Sequence, residues 1–444
     1  MKLVDALTHL RNTYAGRRIV YLAPDAGRTL GLRSLVADLV TVCFDSMGIE
    51  GDENNPILIV PENDSDLAQG SASLLDNPDV PGFLRARGVT DIVAFKVNAR
   101  MVQRATQLGL RVLAGPPAVA QRFENKIHFS SMLSELGICA PATQRFPLGL
   151  SHFDPSHTHL RSPWIVQAAR GHSGQSSWIV TDAKQWQTMR DSFGMLPGRV
   201  AEFVPGPTWT ANGAVLDVDR IAVGPGFRQV TGIQTLTPFP LGACGNCWGM
   251  PSDLENKVRD VAKLVGRALA AANYRGAFGI DVVVPDAGPP LVIETNPRVT
   301  SGQAMESLLL QAAGSVSPLF WHLMAFGGDP AGDVMLDPSA VIRGSQLIFY
   351  NPEPEDGVLT TAPVSGTYEV TPAGLKWASS EVNPAKLADS CVVILARTKG
   401  RRVPKGSEIL RVQTRDVWLD DQGRLTDHAE QTVSMIRRRW SVSV

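Results

Sequence analysis

Two apolar runs of this chain end in hard oxygen donors. Asp281 stands among Ala277, Phe278, Ile280, Val282 and Val283; Glu294 follows Leu291, Val292 and Ile293, with Asn296 and Arg298 at the next alternate positions. The runs read as β-strands joined by the turn Asp286 to Pro290, and strand alternation decides which of these side chains share a face. A carboxylate in such surroundings is costly to bury unless a cation compensates it. Asp, Glu and Asn oxygens are donors that Mg²⁺ selects, usually together with substrate phosphates. Arg298 has the two-pronged geometry to hold a phosphoryl or carboxylate oxygen. The alternative is an ordinary hairpin whose acids pair with a nearby arginine.

Whether these groups meet depends on the elements that carry them. Lys126 to Leu136 reads as a helix stopped by Gly137 and followed by Pro141. Trp164 to Gln167 and Ser177 to Val180 read as a strand pair joined by Arg170-Gly171-His172-Ser173-Gly174-Gln175. Small residues at such a tip let backbone N–H groups approach an anion closely. His172 is a candidate base, although an exposed histidine there needs no role. Val200 to Gly206 reads as a strand that leaves its sheet as a linker, and Thr231 to Trp248 as a Gly-, Pro- and Thr-rich loop facing a substrate. Ser252-Asp253-Leu254-Glu255 is a capping box. It opens a helix on which Leu254, Val258, Val261, Val265 and Leu269 recur at helical spacing. Gly302 to Met305 opens another helix, whose N–H groups can bind a carboxylate; Met305, Leu308 and Leu309 equally suit plain core packing.

Ahead of these parts, strand candidates at Arg18–Leu22, Pro56–Val60, Thr90–Phe95 and Leu110–Leu113 alternate with a helix at Asn98–Leu108. That spacing argues for a parallel α/β layer. The turn Ala23 to Gly27 follows the first strand without a GxGxxG, so this layer reads as a support. Beyond about residue 330, short runs such as Gln346–Tyr350 and Cys391–Leu395 alternate with Pro/Gly turns, closed by a helix from about Asp427 to Trp440.

Composition narrows the function classes. The 444 residues are 44% hydrophobic and 19% charged with net charge −1, so no basic field recruits nucleic acid or a membrane surface. No apolar run approaches the roughly 20 residues a membrane span requires, and Met1 to Arg11 lacks a signal-peptide core. Five cysteines suit a reducing cytoplasm, and the Cys244/Cys247 pair has no second pair to make a zinc site.

Residues 116–330 resemble the ATP-grasp superfamily, with degenerate motifs in that family's order. The resemblance implies two lobes that trap ATP and Mg²⁺, with Mn²⁺ as a substitute. It implies that Asn125-Lys126 brings a phosphate-binding lysine to a helix start, and that Gln167 occupies the place of a second such lysine, with Arg170 as a compensating cation. It implies that Gly171, Ser173, Gly174 and Gln175 form a lid over the phosphates. Glu202, Phe203 and Val204 then make the adenine-reading hinge, where Ala201 and Thr208 depart from the family pattern. Asp281, Glu294 and Asn296 are the implied metal ligands, and Arg298 the residue that steadies the acyl phosphate.

The expectation is therefore a multidomain α/β and α+β chain. Residues 1–115 form an N-terminal parallel α/β domain. Residues 116–329 form the ATP-grasp domain, with a small lobe at about 120–205 and a large lobe at about 206–329. Residues 330–444 form a β-rich C-terminal domain. The expected activity is an ADP-forming ligase joining a small-molecule carboxylate to the amine of an amino acid or peptide. The resemblance is nearest the pheganomycin-type peptide ligases of specialised metabolism. A homodimer is kept open, and nucleic acid and membrane are not expected partners. A bicarbonate-activating carboxylase-like enzyme and a catalytically silent ATP-binding subunit are the alternatives.

Overall fold

The computed structural model describes residues 3–62, 70–171, 174–250, 253–328 and 340–444. At the N-terminus, β1 (Ile19–Asp25), β2 (Val40–Asp45), β3 (Ile57–Ile59), β4 (Asp91–Ala94) and β5 (Arg111–Val112) form one parallel sheet in the order β3-β2-β1-β4-β5. β1, β2 and β4 are apolar on both faces because both are covered. Tyr21 and Val93 pack towards the helices Leu3–Thr13 and Pro318–Phe326, while Val20, Leu22 and Ile92 pack towards Asp79–Ala86 and Ala99–Gln107. β1 includes Ala23, Pro24 and Asp25, so the turn expected there starts later, at a 3₁₀ turn capped by Asp25. The strand order reverses between β1 and β4. The carboxyl ends of these two strands bring Arg28 and Phe95 to the place where such sheets bind ligands.

A second, antiparallel sheet follows. It consists of β6 (Thr143–Phe146), β7 (Trp164–Ala168), β8 (Ser177–Val180) and β9 (Gly198–Glu202), in the order β6-β9-β7-β8. β9 begins and ends earlier than the sequence suggests, because Pro205 and Gly206 cannot continue it. Trp164, Val166, Val180 and Val200 turn to one side and build a core with Trp186 and Phe193 of the helix Ala183–Phe193. The opposite face lines a cleft.

The largest sheet carries β10 (Thr208–Val215), β11 (Ile221–Thr231), β12 (Ala243–Trp248), β13 (Gly276–Val283) and β14 (Leu291–Asn296). The helix Leu254–Ala271 covers its back through Val258, Ala262, Val265 and Leu269. Its Asp253 cap makes no side-chain capping bond, and Ser252 of the expected capping box lies outside the described residues. The stretch Thr231–Trp248 is not one loop: 232–242 is a loop, but Ala243–Trp248 is a strand. Cys244 and Cys247 are buried in it against Leu347 and Phe349.

The C-terminal strands are β15 (Gly344–Tyr350), β16 (Gly357–Thr361), β17 (Gly366–Thr371), β18 (Gly374–Ser379), β19 (Cys391–Ala396), β20 (Arg402–Val403), β21 (Glu408–Thr414) and β22 (Ser441–Ser443). β15 pairs antiparallel with β12, so one ten-stranded sheet runs β14-β13-β10-β11-β12-β15-β21-β19-β17-β18. β20, β16 and β22 make a small sheet beside the helix Asp427–Arg437. Among the described residues, no helix is long and apolar enough to cross a membrane.

Candidate active site

The four-stranded sheet and the ten-stranded sheet face each other across a cleft of about 480 Å³. Alternation decides the first wall. With Val166 and Val200 committed to the core, Ile165, Gln167, Arg199 and Ala201 must face the cleft, and Ser177 and Ile179 of β8 join them. Ile165, Ile179 and Ala201, with Ile293, make an apolar part of the cleft. Gln167, Ser177 and Arg199 close its polar end.

The second wall is set by register. Asp281 of β13 lies directly opposite Glu294 of β14, and Gly279 opposite Asn296, so both acids and the amide share one face. Gly279 is required there: a Cβ would stand 2.8 Å from both Asn212 Oδ1 and Thr300 Cγ2. Asp281 Oδ1 accepts from Thr210 Oγ1 (2.7 Å) and Gln229 Nε2 (2.9 Å), and Oδ2 accepts from Asn296 Nδ2 (3.4 Å). These are neutral donors. Burial, and then repulsion from Glu294, hold the Asp281 carboxyl above the usual range despite the Thr210 hydrogen bond.

Lys126 opens the helix Lys126–Glu135, which Asn125 caps by accepting from the Ile127 and His128 amides. Its amide donates to Ala169 O (3.0 Å), which ties the helix to the root of the β7–β8 hairpin. Its ammonium, only 5% exposed, stands 3.4 Å from Glu294 Oε2. Arg298 is held on three sides: Nη2 donates to Asn296 Oδ1 (2.7 Å), Nη1 to Val299 O (3.2 Å) and Nε to Glu124 Oε1 (3.0 Å). Its guanidinium also lies 5.3 Å from the Phe95 ring centre, which Arg28 covers at 4.3 Å.

Glu202, Phe203 and Val204 line the cleft at the link between the sheets. The Phe203 amide is already bonded to Pro163 O, whereas the Val204 N–H donates to no group among the described residues. Glu202 turns its carboxylate to the Arg161 amide (2.9 Å), leaving its backbone, not its charge, at the cleft. Gly174 lines the cleft from the hairpin tip, and Gln175 points elsewhere: its Nε2 donates to Gly406 O (3.0 Å) in the turn between β20 and β21. Gly171 is exposed at the base of the tip; Ser173 and His172 lie outside the described residues. Thr300, Ser301 and Gly302 bring the start of the helix Gln303–Ala312 to the other end of the cleft, where Ile348 and Tyr350 of β15 complete the wall.

Gln167 brings no charge of its own to the cleft. Its Nε2 donates to Ser177 Oγ (2.9 Å), and its Oε1 accepts from Arg199 Nε (2.9 Å). Arg170, the expected compensating cation, is exposed and does not line the cleft. The buried guanidinium beside Gln167 belongs to Arg199, which faces it directly across the β7–β9 ladder. Sequence reasoning missed Arg199, although an arginine alternating with Val200 and Ala201 in a strand was a usable signal. It also missed Glu124, Thr210 and Gln229, whose chemistry is visible only through their partners. Below the floor, Asn212 Nδ2 donates to Glu306 Oε2 (2.6 Å) and Thr300 Oγ1 donates to Asn212 Oδ1 (2.9 Å). Burial pushes the Glu306 carboxyl up to about 8, with the Asn212 bond opposing it.

The donor set suits Mg²⁺. Among the described residues no group of three or more His, Cys, Asp or Glu side chains gathers as a closed metal cage. Two carboxylates and an amide on one face instead leave most of an octahedron to water and phosphate oxygens, as Mg²⁺ prefers.

Residues 123–302 match a family described as an ATP-grasp domain. No curated protein matches the chain in sequence. Among solved structures it is similar to the biotin carboxylase domain of Hydrogenobacter thermophilus 2-oxoglutarate carboxylase, a dimer bound to MgADP, ADP and bicarbonate. The TM-score is 0.62 at 11% identity, covering 96% of this chain and 90% of that one. It is also similar to Campylobacter jejuni biotin carboxylase in complex with β,γ-ATP (TM-score 0.61, 12% identity, 97% and 93% covered). A third similarity is to the carboxyaminoimidazole ribonucleotide synthase of Aspergillus clavatus complexed with ATP (TM-score 0.58, 11% identity, 95% and 99% covered). At these identities the likeness is one of fold. The chain is thus a mixed α/β protein in which an N-terminal parallel sheet and C-terminal antiparallel strands flank a core whose residues 123–302 match the ATP-grasp domain family.

Proposed function

We propose that the protein is an ATP-dependent ligase that activates a carboxylate as an acyl phosphate and passes it to an amine. The observation that carries this reading is the convergence of Asp281, Glu294, Asn296, Lys126 and Arg298 opposite an apolar slot that ends in hydrogen-bonding groups. The slot, with the Glu202 carbonyl and the Val204 N–H at its rim, suits adenine. Asp281, Glu294 and Asn296 would hold Mg²⁺, which supplies charge neutralisation on the β- and γ-phosphate oxygens when bound. Lys126 adds a cation at the helix start, and Gly174 brings backbone close to the phosphates.

In the first step a carboxylate oxygen of the substrate attacks the γ-phosphorus, and the bond to the ADP oxygen breaks. The amine lone pair then attacks the acyl carbon, phosphate leaves with its bonding electrons, and the nitrogen gives up a proton to form the amide. Arg298 stands where it can steady the anionic oxygen that forms, and Glu124 and Phe95 fix its direction. The start of the helix Gln303–Ala312 offers amide donors to a substrate carboxylate. An amino acid or peptide amine, a homodimer and a cytoplasmic setting belong to the same proposal, as does Mn²⁺ as a substitute metal.

A second reading is activation of bicarbonate, favoured by the similarity along nearly the whole chain to a carboxylase domain whose structure contains bicarbonate. One assay separates them: ADP release with Mg-ATP, pooled amino acids and short peptides, and hydroxylamine. Hydroxylamine traps an acyl phosphate as a hydroxamate. A hydroxamate made by the wild type and lost in Glu294→Ala supports the ligase and identifies the acid. ADP release that needs only bicarbonate favours the second reading, and ATP binding without any turnover would sink both in favour of a silent nucleotide-binding subunit.

A further inference from the structure

Arg199 is a buried cation of the cleft with no carboxylate in contact among the described residues. It is 4% exposed, and among the described residues no carboxylate oxygen comes within 4.0 Å of its guanidinium. Its partners are neutral: Nε donates to Gln167 Oε1 (2.9 Å) and Nη2 to Ile293 O (2.7 Å). Nη1 has no hydrogen-bond acceptor among the described residues, and Arg199 lines the cleft. Glu294 is the acid that acts on it at longer range, but Glu294 already faces Lys126. Burying a charge without an opposite charge is expensive, and here burial pulls the guanidinium down to about 10, with Glu294 opposing.

The same cleft carries the complementary excess. Asp281, on the other wall, is satisfied only by the neutral donors Thr210, Gln229 and Asn296. A cation with no carboxylate in contact on one wall and a carboxylate with no cation in contact on the other suit a ligand that brings both signs, a metal–polyphosphate. Arg199 stands where the apolar slot of Ile165, Ile179 and Ala201 gives way to polar groups, so the anionic part of such a ligand begins beside it. We propose that Arg199 binds the polyphosphate of the nucleotide through Nη1, while Gln167 and the Ile293 carbonyl hold its guanidinium in place. Gln167 is then neutral for a reason: a second cation at that position would sit against the guanidinium in the same buried wall. The positive charge is carried by β9 and the neutral clamp by β7.

This rests on the nucleotide reading of the cleft, and the test separates the two. Full-length protein is titrated with Mg-ATP, Mg-ADP and, by competition, adenosine. In Arg199→Met the affinity for ATP and ADP is expected to fall about 10–100-fold, the loss of a charge-assisted hydrogen bond, while adenosine stays within about twofold. Arg199→Gln, which keeps a polar group beside Gln167, is expected to show the same selective loss. Because each protein supplies its own ratio of ATP to adenosine affinity, partial misfolding cancels. Adding Gln167→Lys to Arg199→Met returns a cation to the wall, and ATP affinity is expected to recover to within about threefold. Undiminished ATP binding in Arg199→Met, or equal loss of ATP and adenosine, would overturn the proposal and leave Arg199 a strut between the sheets. A wild type that binds neither nucleotide nor nucleoside would instead overturn the nucleotide reading itself.

Discussion

The carboxyl of Glu306 lies beneath the floor of the cleft, fully buried, with Asn212 as its hydrogen-bond donor. Its folded value of about 8 is above the 4.5 it has when exposed, so the folded state binds a proton that the unfolded state has released between those limits. Stability from this group is therefore complete below about 4.5 and is lost as pH rises through about 8. Glu306→Gln keeps an acceptor for Asn212 and removes the proton. The unfolding free energy of the variant, measured by urea titration, should gain on that of the wild type by roughly 3 kcal/mol between pH 5 and pH 8. Parallel curves would show that Glu306 is ionised in the folded protein. Single residues were unequally legible in the sequence. Lys126, Asp281, Glu294 and Asn296 stood out as candidates because each polar group lies within or at the end of an apolar run or at a helix start, where it needs a reason. Arg199 and Glu124 look like ordinary surface charges in a row of letters. Their meaning lies in a ladder partner and in a contact 174 positions away.

At the scale of elements, the β7–β8 hairpin reaches over the cleft from one sheet to the other. Its tip touches the 232–242 loop so closely that a Cβ at Gly174 would stand 2.7 Å from Gly242 Cα, and Gly174 has φ of +77°, which side chains rarely adopt. Gly174→Ala should therefore lift the tip and weaken Mg-ATP binding about tenfold, measured by calorimetry. Unchanged affinity would mean that the tip does not press on the nucleotide. The strand β7 and the helix Leu254–Ala271 were readable because one face of each is apolar, and the β13–β14 pair because polar Asp281 and Glu294 interrupt apolar runs. β2 and β10 escaped notice for the opposite reason. Buried on both faces, they lack the alternation that marks a strand, and β10 carries polar Thr210 and Asn212 inside. β12 was hidden by its glycine and by the turn-forming residues that precede it.

At the scale of the molecule, the N-terminal sheet and the C-terminal strands are locked by charge. Arg411, 1% exposed, donates to Asp25 at the end of β1 and to its neighbour Glu408, and Arg28 reaches both acids from the other side. Burial alone would raise the Asp25 carboxyl; Arg411 and then Arg28 more than offset it and hold it at about 2. That contribution is present above about 3.8 and lost as pH falls through about 2. Arg411→Met leaves two acids sharing one cation in a buried junction. It is expected to cost roughly 3–5 kcal/mol in urea unfolding at pH 7, with part recovered by adding Asp25→Asn. A cost below about 1 kcal/mol would show that the junction is solvated.

The cleft is also finished from far along the chain, by Ile348 and Tyr350 in its wall and by Gly406 under the hairpin tip. On a ribosome, every candidate ligand from Lys126 to Arg298 emerges long before those closing parts. A nascent or truncated chain can display its acids, but they stand open to water and β12 lacks its neighbouring strand. Synthesis therefore runs from candidate ligands to enclosure, because β15 and the turn before β21 both follow Arg298 in the chain.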